Sequence, residues 1–312
     1  MNKKTHFFFV LLLVVSTISI GLSQQIPQYS QYLINDYVLN PAIGGSKNYF
    51  EAKSNHRFQW VGITDAPRTF ILSINGPLKK KNMGVGGYIF TDVTGPTNRF
   101  GAYFSYAYHI KLNSELKLGM GLFGGIMQYN IDGSKISLLD KADPLIGKNI
   151  ESITIPDAGF GLYGYTDRFF LGISIPQLLQ NKLKINDTTQ IQGRLKSHVL
   201  IMTGYRFEAG NDFEFEPSIL LKTVSPVPIQ FDISAKIHYQ KMIWIGASYR
   251  THDAMSALLG YVYKEQLLIG YSFDFTTSNL KNYSDGTHEI MLGIRFENNK
   301  SSSTASQKGL VN

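Results

Sequence analysis

The chain has 312 residues, no cysteine and a formal net charge of +7, with 29 Gly, 20 Phe and 18 Tyr but only 17% charged residues. Without cysteine there is no disulfide framework, thiolate metal site or lipid-bearing cysteine. The 43% apolar fraction argues against a mainly disordered chain, and the longest apolar run, 7–15, falls far short of the ~20 residues a membrane-spanning helix needs.

In chain order, residues 1–23 come first. Lys3 and Lys4 precede the apolar stretch, and Gly21-Leu22-Ser23 supplies small residues before Gln24. This is the pattern of a secretory signal peptide. Its removal takes two lysines and no acid, so +7 becomes +5. An exported chain meets no nucleic acid. Its basic balance suits the anionic head groups of a lipid bilayer and lipopolysaccharide, or a polar protein partner.

Residues 24–49 carry two prolines, paired glycines and several Tyr and Asn. They are too irregular for a spanning strand and read as a periplasmic or lumen-plugging segment, with one helical turn near 31–38.

From 50 to 297 the pattern is period-2 alternation. Phe104, Tyr106 and Tyr108 fall on one face of a strand, and Tyr103, Ser105, Ala107 and His109 on the other. Ile229, Phe231, Ile233 and Ile237 alternate with Gln230, Asp232, Ser234, Lys236 and His238. His288, Ile290, Leu292 and Ile294 alternate with Glu289, Met291, Gly293 and Arg295. One face is apolar and aromatic, the other polar or glycine, as on a barrel wall between lipid and a narrow lumen. Strands are predicted at 50–60, 68–77, 83–91, 99–112, 115–130, 157–165, 168–176, 195–207, 213–224, 228–238, 242–250, 254–263, 266–275 and 287–297. The fold class is therefore all-β: a transmembrane antiparallel up-and-down β-barrel of about 14 strands. The even-numbered connections are all short, as periplasmic turns should be. The three longest, 131–156, 177–194 and 276–286, are all odd-numbered and fall on the outer side. Residues 298–312 read as a disordered tail.

Short motifs recur in a definite order. Gln28-Tyr-Ser-Gln-Tyr32 precedes Asn40-Pro-Ala42 and Gly44. Arg57-Phe-Gln-Trp60 is followed by Ala66-Pro67, Gly84-Val-Gly-Gly87, Ser105-Tyr-Ala-Tyr-His109, Pro156-Asp157, Glu216-Pro-Ser218, Ser248-Tyr-Arg250 and His288-Glu289. Jointly they resemble the PorP/SprF family of Bacteroidetes outer-membrane proteins, over nearly all of the exported chain. The resemblance implies a role in the type IX secretion system and, in some bacteria, in gliding motility. Family partners are of two kinds: periplasmic ring or motility components, or a secreted client such as a surface adhesin. The residues singled out for plug, lumen or partner contacts are Tyr29, Gln31, Tyr32, Asn40, Pro41, Arg57, Gln59, Trp60, Asp157 and Arg250.

Apparent signs of catalysis have structural explanations. Gly119–Gly124 satisfies G-x-G-x-x-G, but it lies inside an alternating strand with no helix after it. No histidine pair has metal-binding spacing. No enzyme and no cofactor are predicted, although a Ser–His pair converging across strands would reopen the question of a lipid-modifying activity. The charges Lys53, Arg57, Lys111, Asp232, Lys236, Asp274 and Arg295 form either a salt-bridged interior or a seat for a plug. Trp60 reads as an interfacial anchor. Lys79-Lys-Lys81 falls in a predicted periplasmic turn, and Asp187-Thr-Thr189 resembles a glycosylation acceptor. A small-solute porin is the alternative function.

Overall fold

The structure, a computed structural model, describes residues 27–78, 82–136, 150–184 and 192–297. The predicted signal peptide, the triple lysine, half of the 131–156 loop, the glycosylation triplet and the tail lie outside the described residues.

The strands are β1 (Tyr49–Phe58), β2 (Arg68–Pro77), β3 (Met83–Thr94), β4 (Thr97–Lys111), β5 (Lys117–Asp132), β6 (Ile150–Tyr165), β7 (Phe169–Ile175), β8 (Lys182–Lys184), β9 (Gln192–Arg194), β10 (Val199–Tyr205), β11 (Phe207–Ala209), β12 (Phe213–Val224), β13 (Val227–Tyr239), β14 (Ile243–Arg250), β15 (Ala254–Tyr263), β16 (Leu267–Thr276) and β17 (Thr287–Glu297). β8 and β9 form a separate small hairpin inside one loop, and β11 continues β10 along β12. The rest close into a 14-stranded antiparallel barrel, sealed where β1 pairs with β17 and where β10 pairs with β12. Every predicted strand is present.

Most strand limits shift by four residues or fewer, the start of β6 shifts by seven, and prolines lie inside β6 and β12. β6 starts at Ile150 rather than 157 and runs through Pro156. Above Phe160 it pairs with β5 but has no β7 partner, so it is an edge where a missing N–H costs little. Pro217 lies inside β12 opposite the break between β10 and β11, where the ladder on that side is interrupted at Arg206.

Alternation decides the two faces. Phe104, Leu122, Ile233, Leu259, Ile269 and Leu292 are exposed on the outer wall, while Tyr103, Asp232, Lys236, Asp274 and Glu289 are buried within. Lipid solvates the first set, and the second must find partners in the lumen. No helix of the described residues is long and apolar enough to cross a membrane; the strands do so.

The barrel has a turn end and a loop end. Turns such as Gln240-Lys241 (φ 49° and 57°) and Lys264-Glu265 (φ 48° and 58°) link neighbouring strands at the turn end. Positive φ at both central residues matches the twist of a tight hairpin. The first residue of β1 pairs with the last of β17 at this same end. The long connections, including the one bearing β8 and β9, lie at the other end.

Candidate functional site

The lumen is filled by the chain's own residues 27–46. This segment folds into two short 3-10 turns, Asp36–Val38 and Pro41–Ile43. Asn40 caps the second: its Oδ1 accepts from Ala42 N at 2.9 Å, and Pro41 occupies the first turn position, where its lost N–H is not missed. The Asn40 amide also donates to Leu162 O at 2.9 Å, tying the turn to the wall. Asn40→Ala is expected to cost about 1–2 kcal/mol, seen as a lowered heat-unfolding midpoint. Asn40→Asp keeps the capping oxygen and should fall between.

Wall glycines make room for this turn. A Cβ at Gly121 would lie 2.4 Å from Ala42 N, and one at Gly84 would lie 2.0 Å from Gly44 O. The G-x-G-x-x-G run thus supplies part of a seat for backbone, which the sequence reading did not foresee.

A buried ionic centre holds the other part of the segment. Arg57 donates to Ser30 Oγ at 2.9 Å, to Glu289 Oε2 at 3.1 Å and to Asp274 Oδ2 at 2.8 Å. Ser30 N donates to Glu289 Oε2 at 2.7 Å, and Ser30 Oγ to Asp274 Oδ2 at 2.7 Å. Gln31 N also donates to Glu289, at 3.2 Å. Arg250 bonds Asp232 at 3.1 Å, Asp253 at 3.1 Å and Ser30 Oγ at 3.3 Å. Buried charges are tolerated only when paired and hydrogen-bonded, and here plug and wall complete each other. Lower down, Asn35 donates to Asn55 at 2.8 Å, Lys53 donates to Ile34 O at 2.5 Å, and Tyr37 OH meets Ser105 Oγ at 2.6 Å. At the turn-end rim Lys47 bridges to Glu51 at 2.9 Å and Asp36 at 3.8 Å. Burial disfavours the Lys47 ammonium, but these two carboxylates outweigh it and hold its pKa above the ordinary lysine value.

The singled-out residues divide into two places. Tyr29, Gln31, Tyr32, Asn40 and Pro41 are buried in the plug, and Arg57, Asp157 and Arg250 on the wall around it. Tyr32 OH bonds Ser234 Oγ at 3.0 Å, and Asp157 accepts from Tyr103 OH at 3.0 Å. Gln59 and Trp60 stand apart, lining a cavity of about 1,020 Å³ open at the loop end. Trp60 has a φ of 46°, past the end of β1, so it turns to the cavity mouth rather than lying on the outer wall as an anchor. Lys111 is corrected: it is the last residue of β4, beyond the rim, and exposed, so it takes no part in the lumen. Ser30, Asn35, Glu51 and Glu289 were missed as contacts. Inward parity flags Glu51 and Glu289, whereas nothing local flags Ser30.

His198 lies buried at the floor of the loop-end cavity, its Nδ1 donating to Gln177 Oε1 at 3.0 Å and Lys196 O at 2.9 Å. Burial lowers its pKa below 6.5. The folded state therefore favours the neutral ring, and its stabilisation is complete above the unfolded value and lost as pH falls below it. Proteolysis of the loop before β10 should be faster at pH 5 than at pH 7.5, and His198→Gln should abolish the difference.

One Ser–His pair does converge. Ser54 Oγ lies 2.7 Å from His56 Nε2 on the outer face of β1. Their cross-strand neighbours are Leu72, Leu292, Phe70 and Ile290. Among the described residues no further side chain hydrogen-bonds the ring, and β1 is paired on both sides, so its backbone N–H groups serve the ladder. A catalytic pair needs an orienting group and oxyanion donors. Here two polar side chains satisfy each other on an apolar wall.

Three solved outer-membrane barrels are similar to this chain. They are the toluene transporter TbuX of Ralstonia pickettii (TM-score 0.51, 9% identity, covering 83% of this chain and 92% of that one), a FadL homologue of Pseudomonas aeruginosa (0.46, 11%, 83% and 92%), and the toluene transporter TodX of Pseudomonas putida (0.45, 11%, 88% and 94%). At 9% identity the first of them, TbuX, speaks for the fold alone. No curated protein matches. Residues 21–294, nearly the whole chain, match the family described as type IX secretion system membrane protein PorP/SprF. An outer-membrane barrel whose lumen is occupied by its own N-terminal segment, matched over that span, belongs to the PorP/SprF family of type IX secretion system membrane proteins.

Proposed function

We propose that the protein serves type IX secretion as a plugged, non-enzymatic barrel that holds a protein partner. The partner is an exported client, such as an adhesin, or a periplasmic ring or motility component. The observation that carries this reading is the plug itself. Residues 27–46 occupy the lumen and are pinned by the buried Arg57–Asp274–Glu289 centre, an arrangement suited to binding at a face rather than to passing solutes. The signal peptide takes the chain across the inner membrane, and the apolar wall then sits in the outer membrane. The turn end faces the periplasm, and the loops and the cavity beneath them face outward among lipopolysaccharide.

Affinity capture from detergent-solubilised outer membranes tests the reading. A type IX client or ring protein should be recovered with the intact protein, and loop variants should lose an external client while retaining any periplasmic partner. Recovery of neither class contradicts it.

A further inference from the structure

We infer that the plug is threaded through the barrel from the loop end to the turn end, so that the chain enters the lumen at the outer face and contributes its own amino-terminal peptide to the surface an external partner meets. The contacts of residues 27–47 lead from the loop end to the turn end, with one return upward at Leu39, whose O accepts from Ser174 Oγ at 2.6 Å and which lines a cavity with Pro27 and Gln28. Pro27 and Gln28 line the loop-end cavity, and Gln28 Nε2 donates to Gln230 Oε1 at 3.3 Å, near the loop joining β12 and β13. Ser30 meets Arg57 and Asp274, close to the loop-end limits of β1 and β16. Asn35 meets Asn55 and Ser73 at mid-strand. Ala42 abuts Gly119 and Gly121, near the turn-end start of β5. Gly44 O accepts from His109 Nε2 at 2.8 Å, two residues before β4 ends. Lys47 then reaches Glu51 at the foot of β1. The chain runs the length of the lumen before β1 turns back along it.

Two consequences follow. The barrel is closed around this segment, which on this threading is enclosed as the strands close. The described part of the plug begins at the loop face. Pro27 and Gln28 form part of the wall of the cavity of about 1,020 Å³ there. That the face is external rests on the orientation proposed above.

The absence of native cysteine makes the test clean. Single-cysteine variants Gln28→Cys and Asn48→Cys are compared with Tyr283→Cys in the β16–β17 loop and Ser114→Cys in the β4–β5 turn. Asn48, Tyr283 and Ser114 are exposed and Gln28 half-buried. A membrane-impermeant maleimide is applied to intact and then permeabilised cells. Gln28→Cys should label with Tyr283→Cys on intact cells, while Asn48→Cys and Ser114→Cys label only after permeabilisation. Gln28→Cys remaining unlabelled where Tyr283→Cys labels, or Asn48→Cys labelling with the loop control, overturns the threading. If the two controls exchange behaviour and each plug position follows its own control, the threading holds and the proposed orientation fails.

Discussion

Arg57→Ala is expected to lower stability by about 3–5 kcal/mol, the usual cost of removing one partner from a fully buried ion pair. Arg57 is 2% exposed, and its loss leaves Glu289 and Asp274 facing each other across Ser30 without their cation. Arg250 cannot compensate, because its guanidinium stands 3.8 Å from Asp274 and is already engaged by Asp232 and Asp253. The heat-unfolding midpoint of the detergent-solubilised barrel should fall, and Arg57→Lys should recover part of the loss by restoring charge without the fork. Arg168→Ala is the control. The Arg168–Glu208 pair is 2.6 Å long, but both side chains are more than half exposed, so its loss should be worth under about 1 kcal/mol. Equal effects at the two sites would show that the buried centre does not hold the molecule together.

Gly121→Val is expected to unseat the plug while leaving the strands closed. The new Cβ would meet backbone, Ala42 N at 2.4 Å and Pro41 C at 2.5 Å, and no side-chain rotation relieves that. The Asn40-Pro41-Ala42 turn must shift, and with it the contacts to Leu162 and Gly84. In planar bilayers this variant should show open, stepwise conductance. Gly124→Ala tests the same strand on its other face, where a Cβ meets nothing within 4 Å, and should behave as the unchanged protein. A silent, normally folded Gly121→Val would mean that the turn is not what closes the lumen.

The barrel was readable because a wall between lipid and lumen imposes the same alternation on every strand. Phe231 and Asp232 differ in face by one residue, and the sequence alone separates them. Strand ends were less legible where a proline lay on an edge, as at Pro156, because the cost of proline depends on a neighbour the sequence does not name. The plug was legible only as irregular texture between 24 and 49. Its contacts are non-local: Arg57 and Glu289 are 232 positions apart, and Ser30 and Asp274 are 244 apart. Parity places Arg57 and Glu289 in the lumen but does not pair them. The glycines at 119 and 121 look alike whether they face water, lipid or a turn. Only the fold brings Ala42 against them.

Planar-bilayer conductance of the intact protein tests most directly whether residues 27–46 close the lumen. The unmodified barrel should insert and remain silent across the voltage range in which the barrel lacking residues 27–46 gives stepwise channels. Stepwise channels from the unmodified protein, equal to those of the deletion, would contradict the plugged barrel and favour a small-solute porin.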